Sequence, residues 1–232
     1  LTVMIVGLAL GTTLSQAVSV AVSLLVIVKR NTGISLTKAD LRPDRAVMGR
    51  LLKIGVPVAL QDGFIQVSFM VITIIANRRG LTDAAAVGIV EKMIGFLFLV
   101  PSSMLSTVSA LGAQNIGAGQ AHRAARALWC GVATSLAAGF IMGWFTFFHG
   151  DILVGLFVDD AAVIAAAWEY LKAYAIDCML TPFLFCFMGY YNGCEKTLFV
   201  MIQGVIGAFG VRIPIAYLVS RIPGATLFQI GL

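Results

Sequence analysis

Charge is scarce in this sequence. Only 12% of its 232 residues are Asp, Glu, Lys or Arg, while 59% are hydrophobic. Ordinary globular chains carry about 25% charged residues, so a soluble domain is excluded. Histidine is nearly absent. His122 and His149 are the two present, and neither has a metal partner at helical spacing. Cys130, Cys178, Cys186 and Cys194 lie in or beside apolar stretches, without His or acidic neighbours in ligand spacing. They read as small buried hydrophobes rather than metal ligands or disulfides. The glycine-rich stretch 112–119 has no strand before it and no Lys-Ser/Thr after it, which excludes a phosphate loop. The net charge of +5 is spread over the ends of apolar runs. It describes membrane topology, and no basic face for a nucleic-acid partner is present. A membrane-embedded enzyme needs clustered His, Ser or carboxylate groups near an interface. No such cluster is found, so the chain is not read as an enzyme.

Long apolar runs fill the chain instead. Six spans are predicted at 1–28, 56–77, 84–111, 127–148, 163–191 and 198–220, each near the ~20 residues that cross a ~30 Å hydrocarbon core. The first has no basic start or cleavage pattern and reads as a span rather than a signal peptide. Its Gly7, Gly11, Thr12, Thr13, Ser15 and Ser19 favour close helix contact in lipid. The sequence opens and closes inside apolar runs and is expected to be a piece of a longer protein. Segment 29–55 is the longest polar stretch. It holds Lys29, Arg30, Lys38, Arg42, Arg45, Arg50 and Lys53 against Asp40 and Asp44, which places it in the cytoplasm. Alternation then puts Arg123, Arg126 and Lys196 inside and Asp151, Asp159 and Asp160 outside. Arg78, Arg79 and Arg221 fall outside and disagree, but are outnumbered. A short amphipathic helix is expected over 46–54. Asp160 is positioned to cap the fifth span.

Charged groups inside spans are costly and usually functional. Asp62, Glu91, Lys92, Asp177 and Arg212 lie at such depths, with Lys172 at an edge. Asp177 is the most interior, ~21 Å from the outer end of its span. Helical spacing aligns it with Tyr174, Thr181, Met188 and Asn192, and Pro182 frees backbone carbonyls beside it. Asp62 lies ~9 Å from the cytoplasmic end, on a stripe with Gln66, Phe69, Thr73 and Asn77; Gln61 is its neighbour. Glu91 shares a face with Gly95, Ser102, Ser106 and Ser109. The third span is expected to bend at Pro101. Each carboxylate has a plain alternative, a lock to a neighbouring helix or to Lys92 or Arg212. The functional reading is a path for a proton or cation. Low dielectric raises a carboxylate pKa by up to 3–5 units, so a bound cation competes there with a proton, and that competition is antiport. Phe96, Phe98, Phe183, Phe185 and Phe187 read as lipid-facing or core residues, with some lining a drug pocket.

Four motifs stand in order at helix ends: Leu52-Lys-Ile-Gly-Val-Pro57, the 112–119 turn followed by Arg123 and Arg126, Gly193-Cys-Glu-Lys-Thr197, and Val211-Arg-Ile-Pro214. Together they resemble the multidrug and toxic compound extrusion (MATE) transporters along essentially the whole chain. The resemblance implies an all-α polytopic membrane helix bundle, six spans from a twelve-helix, two-lobe transporter. Residues 1–28 would be the last helix of the N-terminal lobe, 29–55 a cytoplasmic inter-lobe linker, and 56–220 five helices of the C-terminal lobe. Residues 221–232 would be an outer loop and the start of a final helix. The implied function is a multidrug efflux antiporter of the cell membrane, exchanging cationic or amphipathic organic compounds for H+ or Na+ by alternating access. It needs no cofactor beyond the coupling ion. Its partners are the lipid bilayer and the N-terminal lobe. Asp177, Asp62 and Glu91 would carry coupling, with Tyr174, Thr181, Gln61, Gln66 and Thr73 in support. The chain departs from many sodium-coupled members, which carry a Glu where Ile65 stands and their Asp about a turn on, at Thr181. A lipid-linked oligosaccharide flippase of the same superfamily is the nearest alternative, but it calls for a cavity rich in Arg and Lys, and only Lys92 and Arg212 are available. A non-transporting subunit of a membrane complex is disfavoured by the intramembrane carboxylates.

Overall fold

The computed structural model describes residues 2–29, 44–78, 80–222 and 226–231. All the regular elements among them are helical: α1 (Thr2–Lys29), α2 (Arg45–Asn77), α3 (Leu81–Leu97), α4 (Leu99–Gly117), α5 (Ala121–Gly155), α6 (Ala161–Gly193), α7 (Thr197–Val205), a π-helical turn (Ile206–Arg212), α8 (Ile213–Ser220) and α9 (Leu227–Gly231). This is the all-α architecture that apolar runs dictate, because lipid offers no partner to an unpaired backbone N–H or C=O. Residues 1–49 form one unit, which holds α1, and 50–232 form a second. Positions 30–43, most of the expected linker, lie outside the described residues.

In the second unit, α2, α5, α6 and Thr197–Ser220 are each long and apolar enough to cross a membrane, and α3 with α4 makes one further, broken span bent by 45°. Helix α6 is the centre. It packs against α3, α4, α5 and α9 and buries Tyr170, Leu171, Tyr174, Cys178 and Cys186. Lipid tails are as apolar as leucine, so such packing depends on close approach and van der Waals contact. Glycine supplies the approach. A Cβ on Gly139 of α5 would meet the Cys178 carbonyl oxygen, and one on Gly189 of α6 would meet the Leu105 carbonyl oxygen of α4.

The local structure departs from the sequence reading at four places. The expected 46–54 helix is not separate, since α2 runs unbroken from Arg45 through Pro57 to Asn77. The third span breaks at Phe98 rather than at Pro101. Pro101 instead occupies the first turn of α4, where its missing N–H has no helical partner to lose. The 112–119 stretch does not open a turn at Gly112. Helix α4 continues to Gly117, and only Gly119, at φ 72°, takes the left-handed conformation that reverses the chain. The sixth span is interrupted by the π turn, which holds Gly207 and Gly210. Asp160 caps α6 as expected, its side chain accepting from the Ala162 and Val163 N–H groups at 2.8 and 3.4 Å.

Candidate functional site

Helix α6 presents Tyr174, Asp177 and Thr181 at helical spacing toward α2 and the π turn. The carboxylate of Asp177 is half-buried, and Thr181 stands one helical turn on from it along the same face. Arg212, at the end of the π turn, donates from Nη2 to the Tyr174 hydroxyl at 3.0 Å. Its guanidinium carbon stands 4.0 Å from the centroid of the Phe69 ring, a cation–π contact. Arg212 is within electrostatic reach of Asp177. The Tyr174 hydroxyl also meets that of Tyr170 at 3.1 Å, and both tyrosines are almost fully buried.

Two cavities adjoin this cluster. One, of about 340 Å³, has Gln61, Ile65, Ser68 and Phe69 of α2 on one side. Facing them are Ile94, Phe98, Phe185, Leu184 and Met188, with Gly204, Gly207 and Ala208 closing the end. The other, of about 280 Å³, lies between α6, α8 and α9 and is lined by Ile72, Tyr170, Ala173, Leu180 and Ile215 among others. Tyr174, Asp177 and Arg212 line both. The walls are mostly aliphatic and aromatic, with few polar groups converging, which is the form of a small-molecule site. Ser68 is fully buried on the first cavity and its hydroxyl has no hydrogen-bond partner. Gln61, 2% exposed, directs Nε2 at the Met188 sulfur at 4.0 Å, and its stem fills the space that Gly204 leaves.

The residues singled out in the sequence separate into three places. Asp177, Tyr174, Thr181 and Gln61 share the first cavity. Glu91 and Thr73 pair with one another, the threonine hydroxyl donating to Oε1 at 2.6 Å, and Glu91 is within electrostatic reach of Tyr170. Asp62 and Gln66 are exposed on α2 and line neither cavity. Lys92 is also exposed. Sequence reasoning noticed Arg212 without placing it in the site, and missed Tyr170 and Ser68. The four-residue step from Tyr170 to Tyr174 is a legible signal, since it stacks the two rings on one helix face. Nothing local marks Ser68.

The MatE family model matches residues 57–218. The chain belongs to the MatE family. Among its MatE relatives, the multidrug export protein MepA of Staphylococcus saprophyticus is 24% identical over 226 residues, covering 96% of this chain and 49% of that protein. The probable multidrug resistance protein NorM of Listeria monocytogenes is 27% identical over 172 residues, covering 72% of this chain and 37% of that one. The chain thus spans about half the length of the curated relatives it matches or less. Two solved structures carry the same fold. A MATE protein in complex with MaL6 superposes with TM-score 0.83 at 16% identity, over 91% of this chain and 49% of that one. A MOP superfamily transporter from Pyrococcus furiosus, described as having a binding pocket of reversed polarity and a different function, gives TM-score 0.83 at 17% identity, over 91% of this chain and 49% of that one. MatE membership and the apolar helices make this a multi-pass membrane protein of a transporter family.

Proposed function

We propose that the chain is the C-terminal part of a multidrug efflux antiporter in the cell membrane, exchanging organic cations or amphipathic compounds for H+ or Na+ by alternating access. One observation carries the reading: a carboxylate, Asp177, opens into a cavity of about 340 Å³ walled by Phe69, Phe98, Phe185 and aliphatic side chains. An aromatic wall takes the flat or greasy body of a drug and the carboxylate takes its charge. The same carboxylate takes a proton or metal cation in exchange. The names of the MepA and NorM relatives support the drug part of the reading. In this scheme residues 1–28 close the N-terminal lobe, 29–55 link the lobes in the cytoplasm, and 56–220 are C-lobe helices. Residues 221–232 form an outer loop and the start of another helix. Asp177 is the principal coupling group, and Asp62 and Glu91 are subsidiary. A flippase for pyrophosphate-linked lipids is less well supported, because Arg212 is the only basic residue among the described residues lining either cavity.

The test is efflux of ethidium from proteoliposomes holding the intact transporter, driven by an imposed proton or sodium gradient. Asp177→Asn keeps shape and hydrogen bonding but removes the titratable charge, and gradient-driven efflux falls about tenfold or more. Asp62→Asn gives a smaller loss. Normal transport by Asp177→Asn, with coupling abolished in Asp62→Asn or Glu91→Gln, would make Asp177 a packing residue.

A further inference from the structure

Asp177 is the only carboxylate and Arg212 the only basic group among the described residues that line the two cavities, and both line each of them. The guanidinium is nevertheless held by neutral partners, the Tyr174 hydroxyl at 3.0 Å and the Phe69 ring at 4.0 Å. A guanidinium offers five N–H donors, and a carboxylate binds it more strongly than a hydroxyl does. Arg212 is therefore held beside its best available partner by a weaker one. The residue ends a π-helical turn that contains Gly207 and Gly210. A Cβ on Gly207 would meet open space. Relaxing a π turn toward α geometry shifts the register of the helix after it and rotates that helix by about 100° per residue.

We propose that Arg212 is a tethered counter-cation, which turns from Tyr174 to Asp177 when the cavity empties and competes with the incoming cation for that carboxylate. It thereby sets cation affinity and drives release. The inference rests on the reading of Asp177 as the cation-binding carboxylate. Two consequences separate it from a packing role. Removing the positive charge tightens cation binding while slowing turnover, because nothing internal replaces the departing ligand. Removing the tether while keeping both charges does the opposite to affinity, because Arg212 then closes on Asp177 more often.

The experiment measures tetraphenylphosphonium binding to the intact transporter in detergent by isothermal titration calorimetry, together with gradient-driven efflux of the same ion from proteoliposomes. Arg212→Gln is expected to tighten binding about tenfold, since charges interact strongly in a cavity of low dielectric, and to lower maximal efflux. Arg212→Lys moves affinity back toward the wild-type value. Tyr174→Phe weakens binding severalfold. In an Asp177→Asn background the Arg212→Gln effect shrinks to the direct repulsion between Arg212 and the bound cation, the coupling expected of groups that share a partner. If Asp177→Asn weakens binding but Arg212→Gln weakens it too, or leaves it unchanged, the tethered-cation proposal is overturned while the cation site stands. If Asp177→Asn leaves affinity unaltered, the cation site itself is lost and the proposal with it. Should Arg212→Gln fail to fold, as judged by thermal unfolding, Tyr174→Phe decides: unchanged or tighter binding overturns the proposal.

Discussion

Gly139 has almost no room for a side chain. A Cβ there would strike the Cys178 carbonyl oxygen and press on the Pro182 ring, so α5 and α6 are held backbone to backbone beside Asp177. Gly139→Ala is expected to destabilise the protein by about 1–3 kcal/mol, the usual cost of overpacking. Gly112 provides the contrast: it is a helical glycine, and a Cβ added to it would have nothing within 4 Å. Gly112→Ala should therefore be neutral or stabilising by up to about 1 kcal/mol. Thermal unfolding in detergent compares the two, and a Gly139→Ala protein as stable as the parent would show that the contact yields easily. The sequence does not separate these glycines, since both stand in apolar helices. What distinguishes them is the distance to another helix.

Breaks in two of the spans set the shape of the site. The Phe98 break lets Phe98 meet Tyr174 and Phe185, at ring centroid distances of 6.4 and 6.3 Å, and so helps wall the cavity. Proline made a bend legible in this span, but the helix breaks at Phe98, and Pro101 sits in the first turn after the break. The π turn carried only its glycines as a signal. His149, with φ −131° and ψ 26°, kinks α5 near its end without any proline. Helix ends were easier to read, and Asp160 is the clearest. Its side chain satisfies backbone donors at the start of α6, so Asp160→Ala should cost about 1 kcal/mol and Asp160→Asn much less. Equal melting temperatures for Asp160→Ala and the parent would mean that the tertiary contacts of α6 hold its first turn without the cap.

At the scale of the molecule, the proposed orientation follows from charge. The proposed cytoplasmic linker 29–55 concentrates Lys and Arg, and such loops are retained on the cytoplasmic side. A cysteine placed at Ser35 is expected to resist an impermeant thiol reagent in intact cells, judged against the native Cys130, Cys178, Cys186 and Cys194. Labelling from outside would invert the orientation and move the Asp160 end of α6 to the cytoplasm. The exposed Asp62 and Gln66 face also belongs to this scale. Polar side chains on a membrane helix need a partner that lipid does not supply, and in the proposed reading that partner is the N-terminal lobe.

The sequence by itself determined the class of solvent, the helical architecture and the family resemblance, and it marked the charged residues that stand within apolar runs. These follow from composition and from periodicity along one helix, both of which are local. It also placed Tyr174, Asp177 and Thr181 on one face, because spacing along a helix fixes direction. Only the tertiary structure decided that Gln61 joins them while its neighbour Asp62 does not, that Glu91 is bonded to Thr73, and that Arg212 reaches Tyr174. Each of those depends on how two or three helices cross. The crossings are set by glycines and by breaks such as Phe98 and the π turn, whose effect is felt across a helix interface and leaves little trace in the spacing of residues along the chain.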